Sequence, residues 1–563
     1  MSASLGATAT FARGIHPPEG KHFVAEAAIE VLPTPKSVRI PLLQHIGAPC
    51  EATVKPRKSV TAGDVVGDAK AFVSAPVHAS ISGTTARESN TTLPNGRHVP
   101  VVPINAADEQ PLEGQALYDD VLGGEWPTQD LDVAAFTSEQ IVQMAREAGI
   151  VGLGGAAFPT HVKLSHHPDH NVDTLLINGC ECEPYLTSDD RVMIESPRSV
   201  VCGALLALHS TGARKVIIGI EENKPQAIRA LRHAAEGTAV EVQVLQTKYP
   251  QGGEKQLISA ILQREVPTGG LPFDVGVKVI NVGTCSALAR AVLRRKPLTH
   301  RVVTVTGAGI KVPKNLLVPI GVSYAELIDY CGGLTKDAAR VVAGGPMMGF
   351  TLGSLDVPVT KGTSGITVLT HQEVRKQEQS NCVRCGRCVD TCPLNLVPTK
   401  LALAARYNNT EVAERYSVTA CMECGSCAYI CPASLPLVQL IRWAKILVHA
   451  ERAKEKAKAE AKAAKALAST ADERPSEGGS EKKEAKPEKE AKPEKEAKPE
   501  KEAKPEKEAK PEKEAKPEKE AKPEKEAKPE KEAKPEKEAK PEKEAKPEKE
   551  AKPEKSKASK SEK

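Results

Sequence analysis

Apolar and polar positions are patterned differently in successive stretches of the chain, and the changes mark out its elements. Over 31–104 short apolar runs (SVRIPL, EATVKP, SVTAGDVVGDAKAF, PVHASISGTTA) are cut by glycine and proline, which predicts short β-strands. A linker rich in acids and proline, 105–129, leads into a region where strands and helices alternate. A helix is expected over 137–148, where a threonine cap precedes serine and an acidic first turn. Buried strands are expected over 172–178, 215–220 and 240–245, with helices over 197–209 and 225–235, the latter opening on proline. Such alternation argues a parallel sheet covered on both faces, with ligands beyond the carboxyl ends of the strands. Over 301–368 short strands return around one helix, 323–331, and end in the turn Gly344, Gly345, Pro346. Further helices are expected over 398–407, 410–416 and 437–450; the last is basic and amphipathic. That helix suits packing on its own domain or lying on a membrane surface.

The end of the chain has no such pattern. Over 484–555 the hexamer EAKPEK repeats twelve times without an error. Each copy balances two acids with two bases, holds nothing apolar larger than alanine, and has a proline that interrupts any helix. This tract cannot bury a core, and a disordered, moderately stiff tail is expected. It reads either as a tolerated repeat expansion or as a tether for a partner.

Composition narrows the function classes. Of 563 residues, roughly 450 remain without the tail, enough for three or four domains. The net charge of +5 is small, and no basic block lies beside aromatics, so nucleic-acid binding has no support. The start lacks a basic segment followed by an apolar core, and no run of about 18 apolar residues offers a membrane span. Fourteen cysteines without an export signal point to a reducing cytoplasm.

Eight of those cysteines form two copies of one motif, Cys382, Cys385, Cys388, Cys392-Pro393 and Cys421, Cys424, Cys427, Cys431-Pro432. C-x2-C-x2-C-x3-C-P is a ferredoxin run, in which three thiolates hold one [4Fe-4S] cube and the fourth crosses to the other. The pattern assigns Cys382, Cys385, Cys388 and Cys431 to a first cluster, and Cys421, Cys424, Cys427 and Cys392 to a second. Structural zinc, which favours two separated pairs of ligands, fits this arrangement poorly, and disulfides need an oxidising compartment.

Two other stretches carry candidate chemistry. Gly152-Leu153-Gly154-Gly155-Ala156-Ala157-Phe158-Pro159-Thr160, followed by Lys163, would let backbone amides approach a phosphate with a nearby positive charge, although glycine-rich segments are usually just turns. Asn178-Gly179-Cys180-Glu181-Cys182-Glu183-Pro184 ends a strand and places amide and carboxylate groups where a heterocycle or ribose would lie. Cys180 and Cys182 are too close in sequence for a ferredoxin-type cluster and read as packing residues. Over 62–67 and 75–83 the chain resembles the barrel-sandwich fold of biotinyl and lipoyl carriers. Its tip carries Val77 and His78 in place of the modified lysine, so a structural module is expected.

The glycine loop with Lys163, the NGCECEP segment, Gly253-Glu254 and Asn281-Val282-Gly283-Thr284 occur in the order seen in the NADH- and flavin-binding subunit of respiratory complex I. With the β module before them and two ferredoxin motifs and a charged tail after them, the chain resembles the C component of the Rnf ion-translocating oxidoreductase (SoxR-reducing) complex, from Gly14 to about residue 450. The resemblance implies that Gly152, Gly154 and Lys163 hold the phosphate side of FMN and that Asn178 and Glu181 meet the flavin or ribityl. Gly253, Glu254, Asn281 and Thr284 would complete the site, Phe158 would stack on nicotinamide, and Glu183 would lie near NADH. Leu153, Ala157, Cys180 and Lys255 depart from the complex I pattern, and they affect the NADH site more than the flavin site.

The expected architecture is therefore a multidomain α/β plus β chain. It comprises a barrel-sandwich-like module (14–104), a Rossmann-like FMN/NADH domain (130–300), a β-grasp-like α+β module (301–370), a helical dicluster ferredoxin domain (371–450) and a charged helix with the repeat tail (451–563). A flavin beside two clusters would convert a two-electron donor into single electrons, and no side chain need act as an acid or base. The resemblance implies a peripheral subunit on the cytoplasmic side of the bacterial inner membrane. Its partners would be the membrane subunits of an Rnf-type complex, NADH, and ferredoxin as an indirect donor or acceptor. A relay and docking module without nucleotide chemistry is the second reading. A soluble flavin-containing reductase or hydrogenase-type subunit is the third.

Overall fold

The structure is a computed structural model that describes residues 8–166, 171–374 and 378–472, with side chains to residue 462. The EAKPEK tail expected to be disordered lies outside the described residues.

The centre is a four-stranded parallel sheet of Thr174–Asn178, Lys215–Glu221, Val240–Leu245 and Val277–Asn281. The runs TLLIN and KVIIGIE are almost wholly buried, as strands with both faces covered must be. In space the third strand comes first, then the second, the first and the fourth, so the winding reverses between Thr174–Asn178 and Val277–Asn281. Strand ends diverge at such a reversal and leave a crevice. The helix Ser138–Glu147 begins with a full capping box between Thr137 and Gln140. Helices Pro197–Thr211 and Val282–Leu293 approach so closely that a Cβ on Gly203 would lie 1.9 Å from the Cys285 carbonyl oxygen.

The β module comprises two sheets. One runs Ser37–Pro41, His98–Ala106, Gly83–Thr85 and Ser59–Val60, and the other is Glu51–Ala52, Val65–Asp68 and Val77–His78. A six-stranded mixed sheet follows, built mainly from His300–Thr306, Lys314–Pro319, Ala338–Ala343 and Gly365–Thr370. Val38, Ile40, Val102 and Ile104 share one apolar core with Val303, Val305, Leu316 and Val318, so the two β regions bury their faces against each other. Ile29–Val31, at the start of the stretch read as short strands, pairs in parallel with Asn315 to Leu317 at the edge of the six-stranded sheet. That pairing satisfies edge amides that would otherwise be exposed.

The ferredoxin region is built from short helices, including Pro398–Arg406 and Thr410–Arg415, closed by the long helix Leu437–Asp472. Ile441, Ala444 and Val448 of that helix are buried against Leu401, Ala405 and Val418, which settles its apolar face on the cluster domain. It continues past residue 450 because the following residues are mostly alanine, lysine and glutamate, all strong helix formers. Among the described residues no single helix is long and apolar enough to cross a membrane.

Candidate cofactor sites

The crevice at the sheet reversal brings together the segments singled out in the sequence. Asn178 and Asn281 stand opposite one another at the ends of the first and fourth strands. Asn178 donates from Nδ2 to the Gly252 carbonyl at 2.8 Å and accepts at Oδ1 from the Cys180 amide at 3.1 Å. Asn281 caps the next helix, accepting from Thr284 N at 3.3 Å, and donates to Asp189 at 2.6 Å. The Thr284 hydroxyl accepts from the Leu153 amide at 2.9 Å, which pins the glycine loop over the fourth strand. The loop is closed by the Gly152 amide, which donates to the Phe158 carbonyl at 2.8 Å, and Phe158 itself is partly exposed. Gly154, Gly155 and Ala156 are exposed at its tip. A Cβ on Gly154 would lie 2.5 Å from Asn281 Nδ2, so any larger residue there would push against the Asn281 side chain. Lys163 pairs with Glu254 at 2.9 Å and donates to the Val279 carbonyl at 3.1 Å, both side chains remaining about one-third exposed (34% and 38%).

Glu181 and Glu183 face protein donors. Glu181 accepts from the Asp189 amide at 2.8 Å, the Asp190 amide at 3.2 Å and the Ser188 hydroxyl at 3.2 Å, where its charge suits the N-terminus of helix Ser188–Glu195. Burial, with Glu181 beside it, raises the Asp189 carboxyl. Glu183 accepts from the Met347 and Met348 amides at 2.7 and 3.1 Å and from the Tyr249 hydroxyl at 3.3 Å. Burial lifts its carboxyl to about 7, against the pull of those donors.

Sequence reasoning missed several supports of this site. The buried Lys21 ammonium donates to the carbonyls of Glu181 at 2.9 Å, Glu183 at 3.2 Å and Leu186, clamping the NGCECEP segment from beneath. Lys361 donates to the Pro76 and Gly149 carbonyls, both at 2.6 Å, and so joins the β module to the turn before the glycine loop. Arg301 bonds the carbonyls of Leu153, at 3.1 Å, and Lys361. No periodicity or motif marks these residues, whose partners come from remote segments.

The cysteines fall into two groups. A cavity beneath helix Leu437–Asp472 is lined by Cys392, Cys421, Cys424 and Cys427 with Leu396, Leu401 and Ile441. Burial pushes the Cys421 thiol up to about 11, with Cys424 and Cys392 adding to the shift. In the other group burial raises Cys388, with Cys431, Cys385 and Cys382 as its thiol neighbours. Cys388 and Cys431 are buried, whereas Cys382 and Cys385 are exposed. Among the described residues no three His, Cys, Asp or Glu side chains converge tightly enough to hold a single metal ion. Four thiolates spread around a cavity suit a cubane, which takes them on four separate irons.

The two kinds of site touch. Ile15, Tyr249 and Cys424 form a buried apolar cluster joined by Cys182, Met347 and Met422. A Cβ on Gly253 would lie 2.7 Å from Met422 Cε, so the loop carrying Cys421 and Cys424 abuts the crevice. Glu423 in that loop is held at 2.7 Å by both Arg442 and Lys445.

The residues present fit both groups: a crevice with a side-chain-free glycine tip and paired amides for a flavin, and two sets of four thiols for cubanes. Family models match in the same order. They are an RnfC barrel sandwich hybrid domain over residues 9–109, a Nuo51 FMN-binding domain over 145–290, an SLBB domain over 302–351 and a 4Fe-4S dicluster domain over 374–432. Fold and site together define an iron-sulfur flavoprotein of multidomain α/β architecture, with FMN and two [4Fe-4S] clusters as its cofactors.

Among curated relatives, the C component of the proton-translocating ferredoxin:NAD(+) oxidoreductase complex of Clostridium ljungdahlii is 44% identical over 451 residues, covering 80% of this chain and 96% of that one. The Na(+)-translocating counterpart of Acetobacterium woodii is 45% identical, covering 79% and 98%. The C component of the ion-translocating oxidoreductase complex of Rhodobacter capsulatus is 41% identical, covering 77% and 82%. The chain belongs to this family, the C components of ion-translocating oxidoreductase complexes. Among solved structures, an NAD+-reducing [NiFe]-hydrogenase in the H2-reduced state is 20% identical with a TM-score of 0.41, covering 57% of this chain and 64% of that one.

Proposed function

We propose that the chain is the electron-input subunit of a membrane-bound, ion-translocating complex and exchanges electrons between NAD(H) and two [4Fe-4S] clusters by way of FMN. When bound, FMN supplies the conversion between paired and single electrons. The chain supplies position and electrostatics. Gly152, Gly154 and Lys163 would hold the phosphate side. Asn178, Glu181, Gly253, Glu254, Asn281 and Thr284 would frame the flavin, with Phe158 and Glu183 on the nicotinamide side. Cys421, Cys424, Cys427 and Cys392 would ligate one cluster, and Cys382, Cys385, Cys388 and Cys431 the other.

The observation that carries this reading is the close approach of Met422 to Gly253, which leaves no room for a side chain there and supports a cluster loop lying against the flavin crevice. The second cluster is then the one nearer the flavin, and the first, with Cys382 and Cys385 exposed, is the exit. The exposed side chains of Arg384 and Arg387 lie in that exit loop and form no ion pair among the described residues. Membrane subunits of an Rnf-type complex are the proposed partners, with ferredoxin as the distant donor or acceptor. They would hold the chain on the cytoplasmic side of the inner membrane. The proposed division keeps the sequence boundaries, 14–104, 130–300, 301–370, 371–450 and 451–563, with a barrel-sandwich-like first module and a β-grasp-like third one.

One observation favours the second reading, a relay without nucleotide chemistry: Glu183, the expected nicotinamide-side acid, already accepts from the Met347 and Met348 amides and lies 3.3 Å from the Tyr249 hydroxyl. The test is NADH-driven reduction of ferricyanide by the purified chain before and after flavin removal. The proposal expects activity that is lost with FMN and restored by adding it. Activity indifferent to FMN would rule it out.

A further inference from the structure

Tyr249 lies between strand Val240–Leu245 and helix Glu254–Leu262 and is only 2% exposed. Its backbone is fixed by a reciprocal pair of hydrogen bonds with Ile15, both 2.9 Å. Its hydroxyl reaches two acceptors on different parts of the chain, the Cys424 carbonyl at 2.6 Å and Glu183 Oε2 at 3.3 Å. A phenol has one proton to donate. The shorter contact gives it to Cys424, and an ionised Glu183 competes for it. Glu183 is in turn tied to the loop 344–349 through the Met347 and Met348 amides. The hydroxyl thus joins the flavin-side segment, the six-stranded sheet and the cluster loop at one buried point.

We propose that Tyr249 is a positioning residue for electron transfer, whose hydroxyl holds the Cys424 loop against the flavin crevice and raises the reduction potential of the second cluster. The inference rests on the reading of Cys424 as a cluster ligand. Cluster potentials respond to hydrogen bonding and burial around the ligands. In a buried site the positive end of an O–H dipole aimed at a ligand residue favours the added negative charge of the reduced cluster. Without the hydroxyl, the Cys424 carbonyl loses its donor and the cluster loop its tie to Tyr249. Glu183 acts in the opposite sense, because its negative charge disfavours reduction nearby and draws the phenolic proton away from Cys424.

The test is Tyr249→Phe in the full chain, purified anaerobically beside wild type and followed by EPR-monitored redox titration at pH 8. At wild-type iron and FMN content, the potential of the second cluster is expected to move negative while that of the first stays unchanged. NADH-driven reduction of the second cluster should slow several-fold, with the KM for NADH unaltered. Identical potential and rate would overturn the inference while leaving the ligand assignment standing. A wild-type chain without a second cluster would overturn both. Should Tyr249→Phe fail to hold its clusters, 3-fluorotyrosine at position 249 decides the matter. It keeps the ring and hydroxyl in place and makes the phenol a stronger donor to the Cys424 carbonyl, so a positive shift of the second cluster alone is expected, and no shift overturns the inference.

Discussion

Asn178 and Asn281 sit in register at the carboxyl ends of two adjacent parallel strands, and each spends its side chain on a different wall of the same crevice. Asn178 ties down the Gly252 turn, whereas Asn281 anchors the fourth-strand helix and fills the space beside Gly154. The crevice therefore depends on Asn281 holding its rotamer.

Gly154→Ala tests that dependence. The added methyl would overlap an Asn281 side chain that is held from two sides, by Thr284 N and Asp189, so it cannot simply swing away. Overpacking of this kind costs about 1–3 kcal/mol. Weaker FMN retention, by about tenfold or more, is expected with iron content unchanged; flavin and iron analysis of the same preparation checks it.

The crossing of the fourth cysteines makes a counterintuitive prediction. Cys392 follows the first motif but lines the cavity of the second set, and Cys431 neighbours Cys388 of the first set. Cys392→Ala should therefore disrupt the cluster of Cys421, Cys424 and Cys427, and Cys431→Ala the other. EPR spectra of the two variants should lose different signals, and loss of the sequence-adjacent cluster in each would refute the assignment.

Lys361 predicts a pH dependence. Burial lowers its ammonium from the usual 10.5 to about 7. Between those values the unfolded chain binds a proton that the folded chain does not, so stability rises with pH across the window and is lowest below about pH 7. Lys361→Met should flatten the rise. It should also cost about 1–3 kcal/mol for each buried carbonyl, Pro76 and Gly149, left without a donor. Tm measured from about pH 7 to pH 9.5 in both proteins reads out the slope and the offset together.

Much of the sheet was legible because it obeys local rules. TLLIN and KVIIGIE are continuous apolar runs, and helix Pro225–Ala235 and strand Val240–Leu245 have the bounds their pattern suggested. Val277–Asn281 was visible only as the motif around Asn281, because it runs straight into helix Val282–Leu293 with no turn residues to separate them. Ile29–Val31 gave no hint that its partner lies near residue 315, since an edge pairing leaves no periodic trace in so short a strand. In the site, the cysteine spacing and the glycine loop could be read directly. Lys21, Tyr249 and Lys361 could not, because their partners come from distant parts of the chain: backbone carbonyls for the two lysines, and a carbonyl and a carboxylate for Tyr249.

The EAKPEK tract carries no residue of any site discussed above. Deleting residues 484–563 should leave iron content, FMN content and NADH oxidation unchanged in the purified chain. A large loss of any of these would assign the tract a role in the catalytic part.

The proposed path runs without a break from NADH through FMN to both clusters. It can be followed in the visible spectrum when NADH is added anaerobically to the purified chain. Along such a path the flavin bands and the broad iron-sulfur absorption bleach together. Bleaching by dithionite but not by NADH, in a preparation that contains FMN, would contradict it.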